Sequence, residues 1–369
     1  MGIKHSTHFD KEFGGCGLVG IIDRNGKAIS GNMVVTSLCT MKDRGNGLGS
    51  GYAIYGAYPD LKNYFGIHVM YNDLSAKEPV ETLLKNKLKL VHSEPVPVKR
   101  IHSITNPPEF WRYFVSPPDY INPENSDEID DLIVNVVMVI NEQIDNAYVV
   151  SSGKNLAVFK GVGHPDEIAE FFKVDNYSGY LLLGHTRFPT NTPGWWGGAH
   201  PFTILDWSIV HNGEISSYGT NRRYVEMFGY KCTLLTDTEV VAYLLDLLIR
   251  KKGLSLSAAA SVLAPPFWKD IQYMEPLKKD YYTALRVTYA NAALNGPFAI
   301  LMGFENGILG LNDRIKLRPL IVGRKDDVVV IASEESAIRE IMNEPEDVWA
   351  PKAGEPIIVK LNPKNAFAK

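Results

Sequence analysis

The sequence predicts an α+β fold, with a mixed sheet core and an inserted, mostly helical region at about residues 74–175. Short apolar runs bounded by turn residues occur near both ends of the chain, as is typical of buried strands. Amphipathic stretches with helical spacing lie between them. The 369 residues are 45% apolar and 22% charged, which is ordinary for a globular protein and excludes a collagen, a coiled-coil rod or wholesale disorder.

The N-terminal half opens with an apolar run at 16–23, which predicts a buried strand ending at the turn signal Arg24-Asn25-Gly26. The stretch 126–142 is predicted to be a helix, because the acidic residues at its start suit the positive end of a helix dipole. The segment 106–127 is rich in proline and asparagine and is predicted to be a loop. The other predictions for this half are helices at 33–41 and 77–90, strands at 51–55 and 64–71, and a hairpin at 148–162.

The second half begins with predicted strands at 180–188 and 204–215, separated by a loop rich in glycine, proline and tryptophan. Helical spacing then dominates, and the C-terminal third returns to short apolar runs. The predicted helices are 221–228, 236–252, 257–262 and 333–341, and the late strands are 298–303, 308–311, 320–322, 328–332 and 356–361.

Charge and cysteine content limit the classes of function. The chain has 38 basic and 42 acidic residues and a net charge of −4, which gives no reason to expect a nucleic acid or membrane partner. No apolar run approaches the ~20 residues that span a bilayer, and the N-terminus lacks a secretory signal. Three cysteines do not form a disulfide framework, so we expect a cytoplasmic protein.

Four short segments contain residues suited to catalysis. Each has an ordinary explanation by itself, such as a buried cysteine, a surface ion pair, a turn or a helix cap. The four segments are 14–20 (GGCGLVG), 184–192 (GHTRFPTNT), 210–215 (VHNGEI) and 235–240 (LTDTEV).

In this order and spacing, the four segments resemble the class II glutamine amidotransferases, which are N-terminal-nucleophile hydrolases. The later segments 311–320 (LNDRIKLRPL) and 330–334 (VIASE) also resemble late strands of that family. The resemblance therefore extends from Cys16 to about residue 360. It implies a four-layer αββα sandwich and a glutaminase activity.

The resemblance implies that Cys16 is the nucleophile and that its own α-amino group is the base. An α-amino group titrates near ~8, so it is a usable base at neutral pH and no histidine is needed. By the same resemblance, Asn212 and the Gly213 backbone N–H form the oxyanion hole. Glycine at position 213 also allows close approach of the backbone to a substrate.

The remaining site residues are also taken from the resemblance. Arg187 would bind the α-carboxylate of glutamine, where its planar fork suits bidentate pairing, and Asp237 would bind the α-ammonium. Thr190 and His200 are further candidates for substrate binding, and Arg44 is expected to support the nucleophile.

The segment 189–201 is predicted to cover bound glutamine, with Trp195 and Trp196 as its apolar inner face. The histidines show no metal-ligand spacing, so no metal is expected.

Fifteen residues precede Cys16. With that leader attached, the Cys16 nitrogen is a peptide amide and cannot act as a base. We therefore expect residues 1–15 to be a leader that is removed between Gly15 and Cys16. The glutaminase domain would then comprise residues 16–369, including the insertion.

Among class II enzymes, the segments 187–193 (RFPTNTP) and 313–319 (DRIKLRP) most resemble glutamate synthases, whereas 199–201 (AHP) is more similar to the sugar-forming branch. No phosphate loop, dinucleotide fingerprint or iron–sulfur motif follows the glutaminase segments. The resemblance thus implies the stand-alone amidotransferase subunit of a split, archaeal-type glutamate synthase. FMN and iron–sulfur centres would lie on a partner synthase subunit that aminates 2-oxoglutarate. No cofactor is expected on this chain.

Two alternatives remain open at this stage. The first is an amidotransferase subunit that serves another acceptor, such as a sugar phosphate or an amine. The second is a non-catalytic regulatory protein that keeps its leader and only binds glutamine.

Overall fold

The structure is a computed structural model that describes residues 15–189 and 194–363. The helices in this part of the chain are α1 Gly31–Cys39, α2 Lys77–Lys87, α3 Ser126–Gln143, α4 Pro165–Phe172, α5 Tyr218–Glu226, α6 Asp237–Asp246, α7 Leu256–Leu263, α8 Trp268–Ile271, α9 Pro276–Thr288 and α10 Glu335–Arg339. A π-helical turn, Leu247–Lys251, continues α6.

The strands in the same residues are β1 Gly17–Asp23, β2 Ile29–Ser30, β3 Ser50–Tyr55, β4 Phe65–Tyr71, β5 Lys89–Pro95, β6 Glu109–Ser116, β7 Ala147–Ser151, β8 Leu156–Gly161, β9 Ser178–Gly179, β10 Leu181–Thr186, β11 Phe202–Ile204, β12 Trp207–Gly213, β13 Phe298–Phe304, β14 Gly307–Asn312, β15 Ile321–Lys325, β16 Val328–Ala332, β17 Asp347–Trp349 and β18 Ile357–Lys360.

Two antiparallel sheets form the centre of the molecule. The first has seven strands in the order β17-β15-β16-β1-β10-β3-β8, and the second has five in the order β11-β12-β13-β14-β18. The first predicted strand, β1, therefore lies in the middle of its sheet, between β10 and β16. All seven residues of β1 are buried, as its short apolar run predicts.

The two sheets pack face to face. A Cβ on Gly20 of β1 would lie 2.3 Å from Ile308 and 3.2 Å from Leu301, on strands of the other sheet. Glycine at this position therefore permits the close approach of the sheets. Helices α1, α4 and α10 cover the outer face of the seven-stranded sheet, and α6 covers that of the five-stranded sheet. The predicted four-layer αββα sandwich is confirmed.

A third sheet, with the order β5-β6-β4-β7, packs beside the sandwich. One face of β4 packs with α2 and α3, whereas its other face, including Met70, packs toward the seven-stranded sheet. The segment near 74–175 has more residues in its three helices than in its strands β5, β6, β7 and β8, but β5 and β6 were not predicted. Prolines on both sides of β6 make this strand resemble a loop in the sequence.

The predicted hairpin at 148–162 is wrong. Its two strands exist, but β7 pairs with β4 in the third sheet and β8 pairs with β3 in the seven-stranded sheet. Helices α8 and α9 were not predicted. In the described residues, no helix has the length and apolar character needed to cross a membrane.

Candidate active site

The predicted site residues meet at one end of the sandwich. A cavity of about 240 Å³ opens there. Five predicted residues line it, namely Cys16, Arg187, His200, Gly213 and Asp237. Its other lining residues are Phe188, Pro189, His211, Glu214, Ile215, Tyr218, Leu235 and Thr236. Thr190, another predicted residue, lies outside the described residues.

Cys16 immediately precedes β1, and its thiol faces the cavity. The Phe188 backbone N–H lies 3.4 Å from Cys16 Sγ and donates to it. Burial raises the pKa of the Cys16 thiol, while this N–H and the charge of Arg187 oppose the rise without cancelling it. The thiol is therefore mostly protonated at neutral pH and needs a base to become a nucleophile.

Arg44 does not line the cavity but fixes the backbone at the nucleophile. Its carbonyl accepts a hydrogen bond from the Gly15 N–H at 3.0 Å, and its Nε donates to the Cys16 carbonyl at 3.1 Å. Its Nη1 also forms an ion pair with Glu334. These contacts hold the Gly15–Cys16 segment beside the seven-stranded sheet, and a role of Arg44 in catalysis stays a prediction.

Asn212 and Gly213 end β12, in the opposite sheet. Asn212 is 1% exposed, and neither its Oδ1 nor its Nδ2 has a hydrogen-bond partner within 15–189 and 194–363. Such an amide is available to a ligand at no cost in protein hydrogen bonds. Gly213 has φ +138°, and a Cβ there would lie 1.9 Å from the Pro297 carbonyl oxygen, so only glycine fits.

Arg187 follows β10 and is 5% exposed. Both backbone polar groups of Arg187 are hydrogen-bonded. The N–H donates to the Gly49 carbonyl at 2.8 Å, and the carbonyl accepts from the Asn46 N–H at 3.3 Å. Burial lowers the pKa of the guanidinium, while the nearby Cys16 and Asp237 oppose this effect. The group nevertheless stays charged at every physiological pH.

Asp237 is the first residue of α6, a helix that begins because the Thr236 hydroxyl caps the Glu239 N–H at 3.1 Å. The Asp237 carboxylate accepts two hydrogen bonds: Oδ2 from the Ile215 N–H at 3.1 Å, and Oδ1 from the Thr238 hydroxyl at 3.2 Å. Burial raises the pKa of the Asp237 carboxyl, but His211 and these hydrogen bonds lower it by more. The carboxylate is therefore ionised at neutral pH and available to a cation.

Three histidines pack behind Asp237. The rings of His185 and His200 stack with centroids 4.0 Å apart, and His200 Nε2 lies 2.8 Å from the Thr238 hydroxyl oxygen. His211 Nδ1 lies 3.1 Å from the same oxygen. Burial lowers the pKa of His200 well below its ordinary value, so this ring is neutral at pH 7. His200 thus borders the cavity as a neutral group that also supports Thr238.

The expectation that Trp195 and Trp196 form the inner face of a cover is wrong. Trp196 packs against Phe110 and Phe171, with centroid distances of 5.6 and 5.7 Å, and Trp195 packs against Tyr148 at 5.3 Å. Neither indole lines the cavity. Both rings instead anchor the end of the segment 189–201 to neighbouring parts of the fold.

Sequence reasoning missed several residues that border or support the site. Lys160 is 3% exposed, and its Nζ donates to the Gly197 carbonyl at 3.0 Å, which adds a polar anchor to the same segment. His211 and Thr238 lie within the quoted segments 210–215 and 235–240, so their position next to Asn212 and Asp237 was the available signal. No comparable signal marked Lys160.

The cavity is lined by a thiol, a cation and an anion, namely Cys16, Arg187 and Asp237, whereas the buried Asn212 lies next to the lining residue Gly213 and does not line the cavity itself. Across the described ranges, no group of His, Cys, Asp or Glu side chains is arranged to hold a metal ion.

Comparison with known proteins gives the class of protein to which this site belongs. A family profile described as glutamine amidotransferases class-II matches residues 106–233 and 233–361. The chain belongs to the class II glutamine amidotransferase family and is an enzyme of that class.

Individual relatives are less informative about the acceptor of the amide nitrogen. An uncharacterized protein from Archaeoglobus fulgidus is 52% identical over 355 residues, which is 95% of this chain and 94% of the relative. A putative glutamine amidotransferase from Methanothermobacter thermautotrophicus is 28% identical over 89% of this chain and 94% of its own length. An amidophosphoribosyltransferase from Methanocaldococcus jannaschii is 26% identical over 58% of this chain and 41% of its own length.

Proposed function

We propose that this chain is a glutaminase subunit that hydrolyses L-glutamine to L-glutamate and ammonia and passes the ammonia to a partner synthase subunit. The observation that carries the proposal is the convergence of Cys16, Arg187, Gly213 and Asp237 on one cavity of about 240 Å³. A free amino acid with one side-chain amide has the charges and the size to match this set.

In the proposed reaction, the α-amino group of Cys16 takes the thiol proton and Sγ attacks the side-chain carbonyl carbon of glutamine. The C–S bond forms, the carbonyl π electrons move to oxygen, and the Asn212 amide and the Gly213 N–H stabilise the oxyanion. Collapse breaks the C–N bond, and the Cys16 ammonium gives its proton to the leaving nitrogen, which departs as ammonia. Water then attacks the thioester carbonyl carbon while the now neutral amine takes one of its protons, and the amine returns that proton to sulfur as the C–S bond breaks and glutamate leaves.

Selection for free glutamine would come from the two charged ends of the cavity. Arg187 suits an α-carboxylate, and the ionised Asp237 suits an α-ammonium. A glutamine inside a peptide lacks both charges and could form neither of these two charge pairings.

Removal of residues 1–15 is part of the proposal, because only a free α-amine at Cys16 supplies the base. The elevated pKa of the thiol supports this requirement. A peptide nitrogen at Cys16 has its lone pair delocalised into the carbonyl group and cannot take the thiol proton.

For the acceptor, we propose a glutamate synthase-like partner subunit in the cytoplasm that aminates 2-oxoglutarate and holds FMN and iron–sulfur centres. The likeness of segments 187–193 and 313–319 to glutamate synthases supports this choice. One of the relatives is an amidophosphoribosyltransferase, so the second candidate function is an amidotransferase subunit that serves another acceptor.

The first test uses protein expressed without an N-terminal tag. Intact mass and N-terminal sequencing should show a chain that begins at Cys16, and this protein should release glutamate from glutamine. Cys16→Ala should abolish release, whereas Cys39→Ala, which changes a cysteine outside the cavity, should not.

A chain that still begins at Met1 or Gly2, binds glutamine and releases no glutamate in the presence of its co-purifying proteins would overturn the catalytic proposal in favour of a binding-only protein. The acceptor is tested separately. Co-purification with a subunit that shows flavin and iron–sulfur absorbance supports the synthase partner, and a partner without these spectra contradicts it.

A further inference from the structure

A second pocket, outside the Cys16 cavity, contains two arginine side chains. It has a volume of about 210 Å³ and lies between helices α7 and α9 and the loop that follows β14. Arg286 of α9 and Arg314 of that loop both line it, and neither lines the Cys16 cavity. Among the described residues, no Asp or Glu lines this second pocket. It is therefore a concave, positively charged surface whose walls supply no carboxylate.

Neighbouring aromatic rings support both guanidinium groups. The guanidinium carbon of Arg286 lies 4.2 Å from the ring centre of Trp268, and that of Arg314 lies 4.9 Å from the ring centre of Phe267. Phe267 and Trp268 are consecutive residues at the start of α8. Stacking of this kind restricts an arginine side chain before a ligand arrives, and so it lowers the entropy that is lost on binding.

Hydrogen bonds inside the protein use part of the donor capacity of the two arginines. Arg286 Nη1 donates to the Pro266 carbonyl, and Arg314 Nη2 donates to the side-chain carbonyl of Asn295. Both acceptors are uncharged, so these bonds orient the guanidinium groups without neutralising them. Because a guanidinium has five N–H donors, both groups keep donors for a ligand in the pocket.

The two cations also act on each other. Burial lowers the pKa of Arg286, and the charge of Arg314 lowers it further. Arg286 nevertheless stays charged at neutral pH, since a guanidinium is not deprotonated in proteins. Two neighbouring cations repel each other, whereas an anion placed between them is attracted by both. The electrostatics of the pocket therefore favour a bound anion.

The other walls of the pocket are mostly apolar, and they indicate what the anion is attached to. Besides the aromatic Trp268 and Tyr289, they comprise Val262, Pro265, Leu285, Ala290 and Ala293. A pocket that combines apolar walls with a few convergent polar groups is typical of sites for small organic molecules. A bare inorganic anion would leave these walls uncovered.

Charge and shape distinguish between the possible anions. A phosphate monoester carries a charge of about −1.5 to −2 at pH 7 and presents three acceptor oxygens. A single carboxylate carries one negative charge and two oxygens. Two guanidinium groups with free donors match the phosphate group better, because arginine binds phosphate oxygens in a planar, bidentate manner.

The pocket also adjoins the backbone that borders the Cys16 cavity. The Asn295 carbonyl accepts a hydrogen bond from the Ser216 N–H at 2.8 Å, and the Asn295 N–H donates to Ser217 Oγ at 2.9 Å. Ile215, which precedes Ser216, lines the Cys16 cavity. A ligand in the second pocket would therefore lie one backbone segment away from a ligand in the first.

We propose that this pocket binds a small organic phosphate monoester, with the phosphate group between Arg286 and Arg314 and the organic group against α7 and α9. The site goes beyond the proposed glutaminase reaction. It requires neither a free amine at Cys16 nor turnover of glutamine.

The test uses phenyl phosphate as the probe, because it joins a phosphate group to a small apolar ring. Calorimetric titration into the full chain should show saturable binding of one molecule. Arg286→Gln and Arg314→Gln should each raise the Kd by about 10- to 100-fold, because each variant loses charged hydrogen bonds. Arg286→Lys, which keeps the charge but loses the fork, should weaken binding by a smaller factor and replaces a glutamine variant that does not fold.

The matched control is Arg324→Gln. Arg324 is an arginine of β15 that pairs with Asp347 and Glu346, so the loss of its charge should leave the Kd unchanged. Absence of binding by the wild-type protein, or equal Kd values for the wild-type protein and both pocket variants, would overturn the proposal. Succinate and inorganic phosphate should bind more weakly than phenyl phosphate. Equal affinity for either would contradict the assignment to an organic phosphate.

Hydrogen exchange locates the probe, because Arg187 in the Cys16 cavity also attracts anions. Phenyl phosphate should slow exchange in peptides that cover residues 256–295 and leave the peptide that covers 181–188 unchanged. Slower exchange at 181–188 alone would place the probe in the Cys16 cavity and overturn the proposal. These readouts involve no hydrolysis, so failure of the glutaminase proposal and failure of this inference are distinguishable.

Discussion

Single residues of the site carry the charges that the proposed substrate, free glutamine, requires. Arg187 and Asp237 are both ionised, while burial keeps the Cys16 thiol and the His200 ring neutral. The thiol is thus the neutral reactant between a fixed cation and a fixed anion. This pattern agrees with a site that binds a zwitterion before the chemistry begins.

Arg187→Lys tests the cationic end. A lysine keeps the charge but loses the planar fork, and a bidentate charged hydrogen bond contributes about 1.5–3 kcal/mol. We expect the KM for glutamine to rise about 10- to 100-fold with a smaller change in kcat, measured by glutamate release. A proportional fall of kcat at constant KM would contradict the assignment of Arg187 to the α-carboxylate.

His68 makes stability depend on pH far from the site. Burial and the charge of Arg112 lower its pKa to about 3, compared with about 6.5 in the unfolded chain. Between these values the unfolded chain binds a proton and the native chain does not, so the free energy of unfolding falls as the pH falls, by about 1.4 kcal/mol per unit. His68→Gln should lower the slope between pH 6.5 and 3 in denaturant titrations by about 1.4 kcal/mol per unit, while the buried His185 and His200, whose pKa values are also lowered, keep their own contributions.

At the scale of secondary structure, the sequence predicts elements well where the pattern of one element is complete by itself. The glycine-broken apolar run of β1 and the capped start of α6 are found where expected. Strand β6 was missed because prolines flank it and its sequence lacks a regular alternation of apolar and polar residues. The hairpin at 148–162 failed for another reason, since the partner of each strand is chosen by distant residues of β3 and β4.

The residues of the site likewise fall into those that the sequence indicates and those that only the folded structure brings together. Cys16, Arg187 and Asp237 lie in segments that could be identified from order and residue type, although their roles remain predictions. Lys160 could not be found in this way, because a lysine within a strand is ordinary. Only the folded structure brings its Nζ to the Gly197 carbonyl.

Gly161, the last residue of β8, packs against Trp196, which anchors the end of the segment 189–201. A Cβ on Gly161 would lie 2.2 Å from the Trp196 ring, so Gly161→Ala forces the indole to move. We expect a loss of about 1–3 kcal/mol in stability and a higher KM for glutamine. The matched control is Gly66→Ala, whose nearest neighbour lies at an ordinary 3.5 Å. A similar KM increase in both variants would contradict this explanation.

An ion-pair network joins α3 to the end of α6. Arg250 contacts the fully buried Asp246 and Asp131 at 2.7 Å each. Because removal of one partner leaves a buried charge, Arg250→Ala should cost about 3–5 kcal/mol in urea unfolding. Arg222→Ala breaks a more exposed pair with Glu226 within α5 and should cost less than about 1 kcal/mol. Equal losses would show that Asp246 is not held by Arg250.

At the scale of the whole molecule, the stability of the sandwich depends on the distance between its two sheets. Gly20→Ala would place a methyl group 2.3 Å from Ile308, so we expect a loss of about 1–3 kcal/mol. Adding Ile308→Val should recover part of that loss, because it removes the atom that is struck. A double variant as unstable as the sum of the single variants would indicate that the clash lies elsewhere.

The central position of β1 also has a consequence for synthesis of the protein on the ribosome. The Leu18 N–H donates to the Ser333 hydroxyl, 315 residues away, and β16 is one of the two neighbours of β1. At a synthesis rate of ~5–20 residues per second, tens of seconds pass between the synthesis of β1 and that of β16. Until then the thiol lies beside an unfinished sheet, so the active centre is among the last parts of the newborn protein to be completed.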